Sequence, residues 1–446
     1  MLAANGLICI GTESGKIYVY DFKQTLKCVC GNDALGTALV SEFTYILIDF
    51  VAKTVGPVTA LALSHDHTYV AAGHSSGHIQ LFDLHNPQVP ARSVAPTTLA
   101  IVLSGRKEGH LLGSRILSIG FVAGRHTAII SADEHGLAFY HSLGKVLFVE
   151  ASDTLRILGK YPKEDIVPLS RPTSASSQAT PSGPTSSPLR GRKTRYTVLG
   201  MMPLPLGTSS HPTDVYSLVA LLTPAKIVIV GLKPTPKTWF KRSRGETEEV
   251  SAGSKHKWKG TLAWFPSVSI TVDGKVELNK KADSNDAADP MLAYSWGSTL
   301  YLMRASESKI KQTTRNSRTG KFTEIEVGNV VFEDVGKWGS EDIILALQWL
   351  NVNVGPLPPS YTQRCPGIDD RLPQQIVIVT STTLEVYDVR ISRLVERVQF
   401  EGLSLVSPSL SLTTNGAIPY FDSAGDVSHS MRAYKGKIFL LVSAVS

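Results

Sequence analysis

Cysteine is scarce in this chain, and long apolar runs are missing. Four cysteines among 446 residues, Cys9, Cys28, Cys30 and Cys365, are too few for a disulfide-stapled scaffold and fit a reducing compartment. Cys28 and Cys30 fall in an apolar strand-like run without the paired spacing or the histidines of a zinc site, so no metal is expected. No apolar stretch reaches the length of about 18 residues that a membrane-crossing helix needs. The opening Met1–Gly6 has neither a basic start nor a long apolar segment, so no signal peptide is readable. Acidic residues are the minority charge, 38 against 45 Lys and Arg, for a net +7. That balance favours acidic partners without choosing among a protein face, anionic lipid and nucleic acid.

Signatures of chemistry are also missing. Gly11-Thr-Glu-Ser-Gly15 lacks the Gly-Lys-Ser/Thr ending of a phosphate loop. Gly73-His-Ser-Ser-Gly77 sits between two strand-like runs, whereas a nucleophile elbow bends from strand to helix. No Ser or Cys nucleophile has a His and an Asp in a recognisable local setting. No catalytic residue and no cofactor is therefore expected, and the chain reads as a scaffold, not an enzyme.

A repeat is present. Gly6–Gly15 followed by Lys16–Asp21, Val58–Gly77 followed by His78–Asp83, and Ile116–Gly136 followed by Leu137–Tyr140 share one design. Apolar strands rich in β-branched and aromatic residues alternate with polar turns, and a glycine closes the turn between the second and third strands. The repeat resembles a WD-type blade, with Tyr20-Asp21 and Phe82-Asp83 in the place of Trp-Asp. Weaker copies occur at Val215–Phe240, Gly260–Met303 and Ile343–Asp388, and Gly436–Val442 reads as one more strand. The expected fold is all-β: a WD40-like β-propeller of about seven blades, a single domain over 1–446. The chain reads as opening on the second strand of a blade, with a C-terminal strand supplying the missing inner strand and closing the ring. The histidines of the turns, His65, His67, His74, His78 and His135, are assigned to turn hydrogen bonding.

Insertions interrupt the repeat. Residues 164–191 are rich in Ser, Thr and Pro and read as a low-complexity surface loop. Residues 354–374, with Pro356, Pro358, Pro359 and Pro366, read as a loop inserted between the first and second strands of a blade. Basic residues cluster at Arg190–Arg195, at Lys237, Lys241, Arg242 and Arg244 with Lys255–Lys259, and at Lys309, Lys311, Arg315, Arg318 and Lys321. All are placed in loops. Trp239 and Trp264 belong to packed strands and are not exposed stacking platforms, so no nucleic-acid partner is expected.

Three stretches carry a family resemblance: Val70–Leu84, Val215–Trp239 with its Gly231-Leu-Lys-Pro-Thr-Pro-Lys-Thr-Trp239 run, and His429–Leu441. On these the chain resembles the N-terminal β-propeller of the vacuolar protein sorting-associated protein 8 family, subunits of the endosomal CORVET tethering complex. The resemblance leaves out that family's α-solenoid and RING-type zinc domain. It implies a cytoplasmic protein, peripheral on endosomal membrane, that engages a Rab5-type small GTPase in its GTP state and other CORVET or class C tethering subunits. An architectural role against sibling subunits and direct contact with anionic endosomal membrane are the alternatives. The residues proposed for a partner lie on the rim of second-to-third-strand turns, Glu13, His74 and Glu134, and in the basic segment after Trp239, Lys241, Arg242 and Arg244.

Overall fold

The structure is a computed structural model. It describes residues 2–4, 7–21, 23–31, 55–122, 124–146, 149–161, 197–207, 209–245, 259–268, 288–315, 322–350, 374–400, 427–434 and 437–444. The chain forms antiparallel sheets in sequence order, each a four-stranded meander except the last.

Blade 1 is β1 (Leu2–Ala4), β2 (Leu7–Gly11), β3 (Ile17–Asp21) and β4 (Leu26–Cys30). Blade 2 is β5 (Val58–Leu63), β6 (Tyr69–His74), β7 (Ile79–Asp83) and β8 (Arg92–Val94). A short helix, α1 (Leu99–Leu103), lies in the connection to blade 3, which holds β9 (Ile116–Phe121), β10 (Ala128–Asp133), β11 (Ala138–Val146) and β12 (Val149–Leu158). Blade 4 is β13 (Gly200–Pro203), β14 (Leu218–Leu222), β15 (Lys226–Gly231) and β16 (Lys237–Ser243). Blade 5 is β17 (Leu262–Phe265), β18 (Met291–Trp296), β19 (Thr299–Arg315) and β20 (Phe322–Gly339), and blade 6 is β21 (Ile344–Leu350), β22 (Gln375–Thr380), β23 (Thr383–Asp388) and β24 (Arg393–Gln399). The last sheet is a hairpin, β25 (Val427–Tyr434) and β26 (Lys437–Ala444).

The first strands of successive sheets lie side by side around a ring, β1 on β5, β5 on β9, β9 on β13, β13 on β17, β17 on β21, β21 on β25 and β25 back on β1. This is a closed seven-bladed propeller, the architecture expected from the repeat. Closure differs from the expectation in detail. Blade 1 has its own inner strand, because Leu2, Ala3 and Ala4 pair with Cys9, Ile8 and Leu7. The C-terminal strands pair with each other and form the seventh sheet.

Burial explains the sequence pattern. The second strands β6, β10, β14, β18 and β22 are buried almost end to end, since neighbouring blades cover both of their faces, so they read as continuous apolar runs. Packing between blades 4 and 5 is the most aromatic, joining Trp264, Tyr294, Trp296 and Tyr301 with Leu218, Ile227 and Ile229. Cys9 and Cys30 lie with Val70, Ala72 and Phe82 between blades 1 and 2, and burial pushes the Cys9 thiol up to about 12. Glycine is required where blades approach most closely. A Cβ at Gly73 on β6 would sit inside the van der Waals surface of Ile116 on the next blade. The turn glycines Gly15, Gly77 and Gly136 take φ of 82°, 89° and 79°, as a hairpin turn demands.

Several segments correct the sequence reading. Val215 lies in a 3-10 turn, Pro212–Tyr216, and the strand begins at Leu218, after Ser217 in the left-handed region at φ 49°. Lys237, Lys241 and Arg242 lie on β16, the outermost strand of blade 4, and Arg244 follows it directly. Lys309, Lys311 and Arg315 lie on β19, whose pairing with β20 continues from Ser306–Arg315 to Phe322–Val331, beyond the last residue that β18 pairs. At about 3.4 Å per residue, that hairpin projects roughly 30 Å past its blade. The loops 164–191 and 354–374 fall between β12 and β13 and between β21 and β22. Their residues lie outside the described ones, Gln374 excepted, as do Arg190–Arg195, Lys255, Lys257, Arg318, Lys321 and Cys365.

Candidate functional site

In blades 1 to 3 the turn between second and third strands meets a connection between blades, so turns and connections share one face of the ring. Backbone bonds knit the two together: Val58 N–H donates to Thr12 O at 3.0 Å, Ser75 N–H to Pro57 O at 2.9 Å and Glu134 N–H to Arg115 O at 3.0 Å.

Each turn divides its residues between interior and solvent. In blade 3, Asp133 is fully buried, and its Oδ1 accepts the N–H groups of His135 at 2.9 Å and Leu137 at 3.0 Å. In blade 1, Thr12 holds the same place, its Oγ1 donating to Lys16 O and accepting from Lys16 N–H, both at 3.0 Å. In blade 2 the place belongs to His74, whose Nδ1–H donates to Gly56 O at 3.0 Å. Burial, reinforced by neighbouring His78, holds the His74 imidazole down to about 4, so it is neutral at physiological pH. The next residue faces outward: Glu13 is exposed, Ser75 half-buried, and Glu134 partly exposed with its Oε1 accepting Arg115 N–H at 3.1 Å.

The six proposed residues therefore separate. Glu13 and Glu134 stand on the turn face. Burial removes His74 from any surface; the outward position of its turn is Ser75. Lys241 is exposed on the outer wall of blade 4. Arg242 binds blade 4 to blade 5, with Nη1 2.7 Å from Asp334 Oδ1 and the guanidinium 5.5 Å from the Tyr301 ring. Arg244 is buried with its guanidinium 5.9 Å from the Trp296 ring, and its N–H donates to Ala225 O at 2.8 Å. Two of the turn histidines hydrogen-bond locally through their side chains, His74 to Gly56 O and His78, whose Nδ1 lies 2.8 Å from Ser76 Oγ.

A buried polar constellation escaped sequence reading. His110 Nδ1 lies 2.8 Å from Asp133 Oδ2, and His110 Nε2 lies 2.7 Å from Ser131 Oγ. Ser131 Oγ also meets His141 Nε2 at 2.7 Å, and His141 Nδ1 lies 3.2 Å from Thr154 Oγ1. One proton assignment satisfies the chain: Thr154 donates to His141, His141 to Ser131, Ser131 to His110, and His110 to the Asp133 carboxylate. Burial pushes the His141 imidazole down to about 3, with His110 and Lys107 adding to the effect. The residue types are those of a serine hydrolase, but Ser131 and Asp133 are at 0% exposure, so no substrate reaches the hydroxyl. The network fastens the blade 2–blade 3 connection, which carries His110, to the core of blade 3. No local motif could have exposed it, since His110 stands 23 residues from Asp133 and 21 from Ser131.

Among the described residues, no group of three or more His, Cys, Asp or Glu could hold a metal ion, and no helix is long and apolar enough to cross a membrane. Fold and surface together define a rigid ring that presents turns and connections on one face, the class of protein that serves as a propeller scaffold. The chain belongs to the Vps8 β-propeller family, whose model, described as "Vps8 beta-propeller", matches residues 1–354. It is similar to the vacuolar protein sorting-associated protein 8 homologs of Mus musculus, 22% identical over 317 residues, and Homo sapiens, 22% identical over 319 residues. Each alignment covers 70% of this chain and 16% of the relative, so the chain spans about a sixth of the length of these curated relatives. Among solved structures it is similar to the β-propeller domain of Myceliophteria thermophila Cps50 (Swd1), with a TM-score of 0.42, 9% identity, and coverage of 95% of this chain and 86% of that one. A chain of the Mitotic Checkpoint Complex gives a TM-score of 0.42 and 12% identity, covering 98% and 80%. The chain is therefore a propeller domain of the Vps8 family.

Proposed function

We propose that this chain is a non-catalytic, protein-binding propeller, one domain over its whole length, of a CORVET-type endosomal tether. In this reading its turn face recognises a Rab5-type small GTPase in the GTP state. The observation that carries it is the repeated outward placement of Glu13 and Glu134 on a face held rigid by turn-to-connection bonds, in a chain of the Vps8 propeller family. Exposed turns on a preformed ring can hold a partner without reorganising the core. Lys241, on the outer wall of blade 4, extends the surface available to acidic groups and steers them electrostatically.

The test is binding of the 446-residue chain to the GTPase loaded with a non-hydrolysable GTP analogue and, in parallel, with GDP. The γ-phosphate orders the switch segments of such GTPases, so an effector prefers the first state. Binding that is equal in the two states, or absent in both, overturns the reading.

A second reading, packing against sibling tether subunits, is favoured by the seventh sheet. Among the described residues β26 pairs only with β25, and in this reading a strand of a sibling subunit adds to its other edge.

A further inference from the structure

The connection between blades 2 and 3 forms a closed loop on the turn face. Thr97 N–H donates to His110 O at 2.8 Å and Leu112 N–H to Thr97 O at 2.9 Å, so the loop's two ends are tied together. Its root is fixed to blade 3 by the buried His110–Asp133 contact. A second clamp comes from Tyr161, whose phenol oxygen accepts Gly109 N–H at 2.9 Å and donates to Gly109 O at 2.8 Å. Gly113 N–H donates to Ser76 O at 3.0 Å, fastening the neck to the turn of blade 2 as well.

Within the loop, α1 splits its apolar residues between two sides. Thr98 caps its start, accepting Ile101 N–H, and Gly105, in the left-handed region at φ 70°, ends it with its N–H on Val102 O at 2.9 Å. Leu99 and Val102, with Leu111, pack on Leu137, Phe139 and Tyr161. Ile101, Leu103 and Leu112 face away from the core at 38%, 53% and 65% exposure. Arg106 and Lys107, between them in sequence, are exposed, whereas the one acidic residue of the loop, Glu108, is held by Arg156 at 3.2 Å.

We infer that this loop is a membrane-docking element: Ile101, Leu103 and Leu112 enter the interfacial region of an anionic bilayer while Arg106 and Lys107 hold its acidic headgroups. Aliphatic side chains beside cations on a polar body are the composition of interfacial insertion, and cations near an anionic leaflet are drawn to its surface potential. The charge left available on the loop is positive, which complements such a surface. A protein partner is the weaker match, because the exposed set contains none of the Trp or Tyr anchors that dominate protein–protein hot spots. The rigid root lets the loop insert without disordering the ring.

The test is co-sedimentation of the 446-residue chain with phosphatidylcholine vesicles containing about 30 mol % phosphatidylserine, and with phosphatidylcholine alone. Binding is expected to the first only, falling several-fold between about 0.1 and 0.5 M salt. The L103D/L112D variant is expected to lose roughly ten-fold or more in vesicle affinity with an unchanged melting curve, since both side chains are exposed. An environment-sensitive dye on a Leu103→Cys variant is expected to shift to the blue on vesicle addition. The inference is overturned if the chain ignores anionic vesicles, if L103D/L112D binds them as well as the parent does, or if the dye does not shift. It is equally overturned if L103D/L112D keeps vesicle binding and loses a protein partner. The vesicles carry no GTPase, so these outcomes are independent of the nucleotide-state test above.

Discussion

Removing one imidazole from the interior of blade 3 has a calculable effect. In His110→Ala, the Asp133 carboxylate stays fully buried, with Oδ1 still accepting two backbone N–H groups but Oδ2 without its 2.8 Å donor. Stripping a buried acceptor of its donor costs about 3 kcal/mol when the acceptor is charged, because the carboxylate oxygen is left desolvated without a partner. With a urea m-value of about 3 kcal/mol/M, the unfolding midpoint falls by roughly 1 M. Tryptophan fluorescence reads this directly, since Trp264, Trp296 and Trp349 are buried between blades. The sign of a second variant tests the cause. His110→Ala with Asp133→Asn removes the stranded charge and should be more stable than His110→Ala alone, despite carrying one more substitution. A midpoint for His110→Ala within about 0.2 M of the parent, or a double variant less stable than the single, refutes the reasoning that Asp133 is a buried carboxylate held by His110.

Two further outcomes follow from the same geometry. Gly73→Ala should destabilise by about 1–3 kcal/mol through overpacking against Ile116, and Ile116→Ala in the same chain should recover part of that loss; additive losses in urea unfolding would refute the close-approach explanation. The acid limb of stability should carry the signature of His141 and His74, held near about 3 and about 4 in the fold against about 6.5 in an unfolded chain. The unfolded chain then binds protons that the folded one refuses. Stability is therefore full above about pH 6.5 and falls as pH drops toward 4, by about 1.4 kcal/mol per pH unit for each histidine. His141→Gln should flatten that slope relative to the parent, and an identical slope in urea midpoints measured at stepped pH would refute the assignment.

What the sequence revealed and what it hid divide along physical lines. Strands and hairpin turns are set by near neighbours, so the alternation of apolar runs with Gly15, Gly77 and Gly136 was enough to read the blades. Ring closure was misread because β1 is three residues long and gives almost no pattern of its own. The basic segment after Trp239 looked like a loop because β16 is an outer strand whose exposed positions accept charge, which erases apolar alternation. The His110–Asp133–Ser131–His141 network joins a connection to two strands and left no spacing to recognise.

The error at His74 is the most instructive, because it follows from counting. Glu13 and Glu134 stand two residues before the turn glycine, whereas His74 stands three before Gly77. The turn converts that single offset into a change of medium. Its first residue, Thr12, His74 or Asp133, must turn inward to satisfy the backbone of the turn or the neighbouring connection, and its second, Glu13, Ser75 or Glu134, is thereby released to solvent. A partner that docks on this face thus reads the second position, while the first decides whether the turn is stiff enough to be read. That coupling is why a search for contact residues belongs at Glu13, Ser75 and Glu134, and a substitution at Asp133 should weaken binding only through the folding free energy it removes.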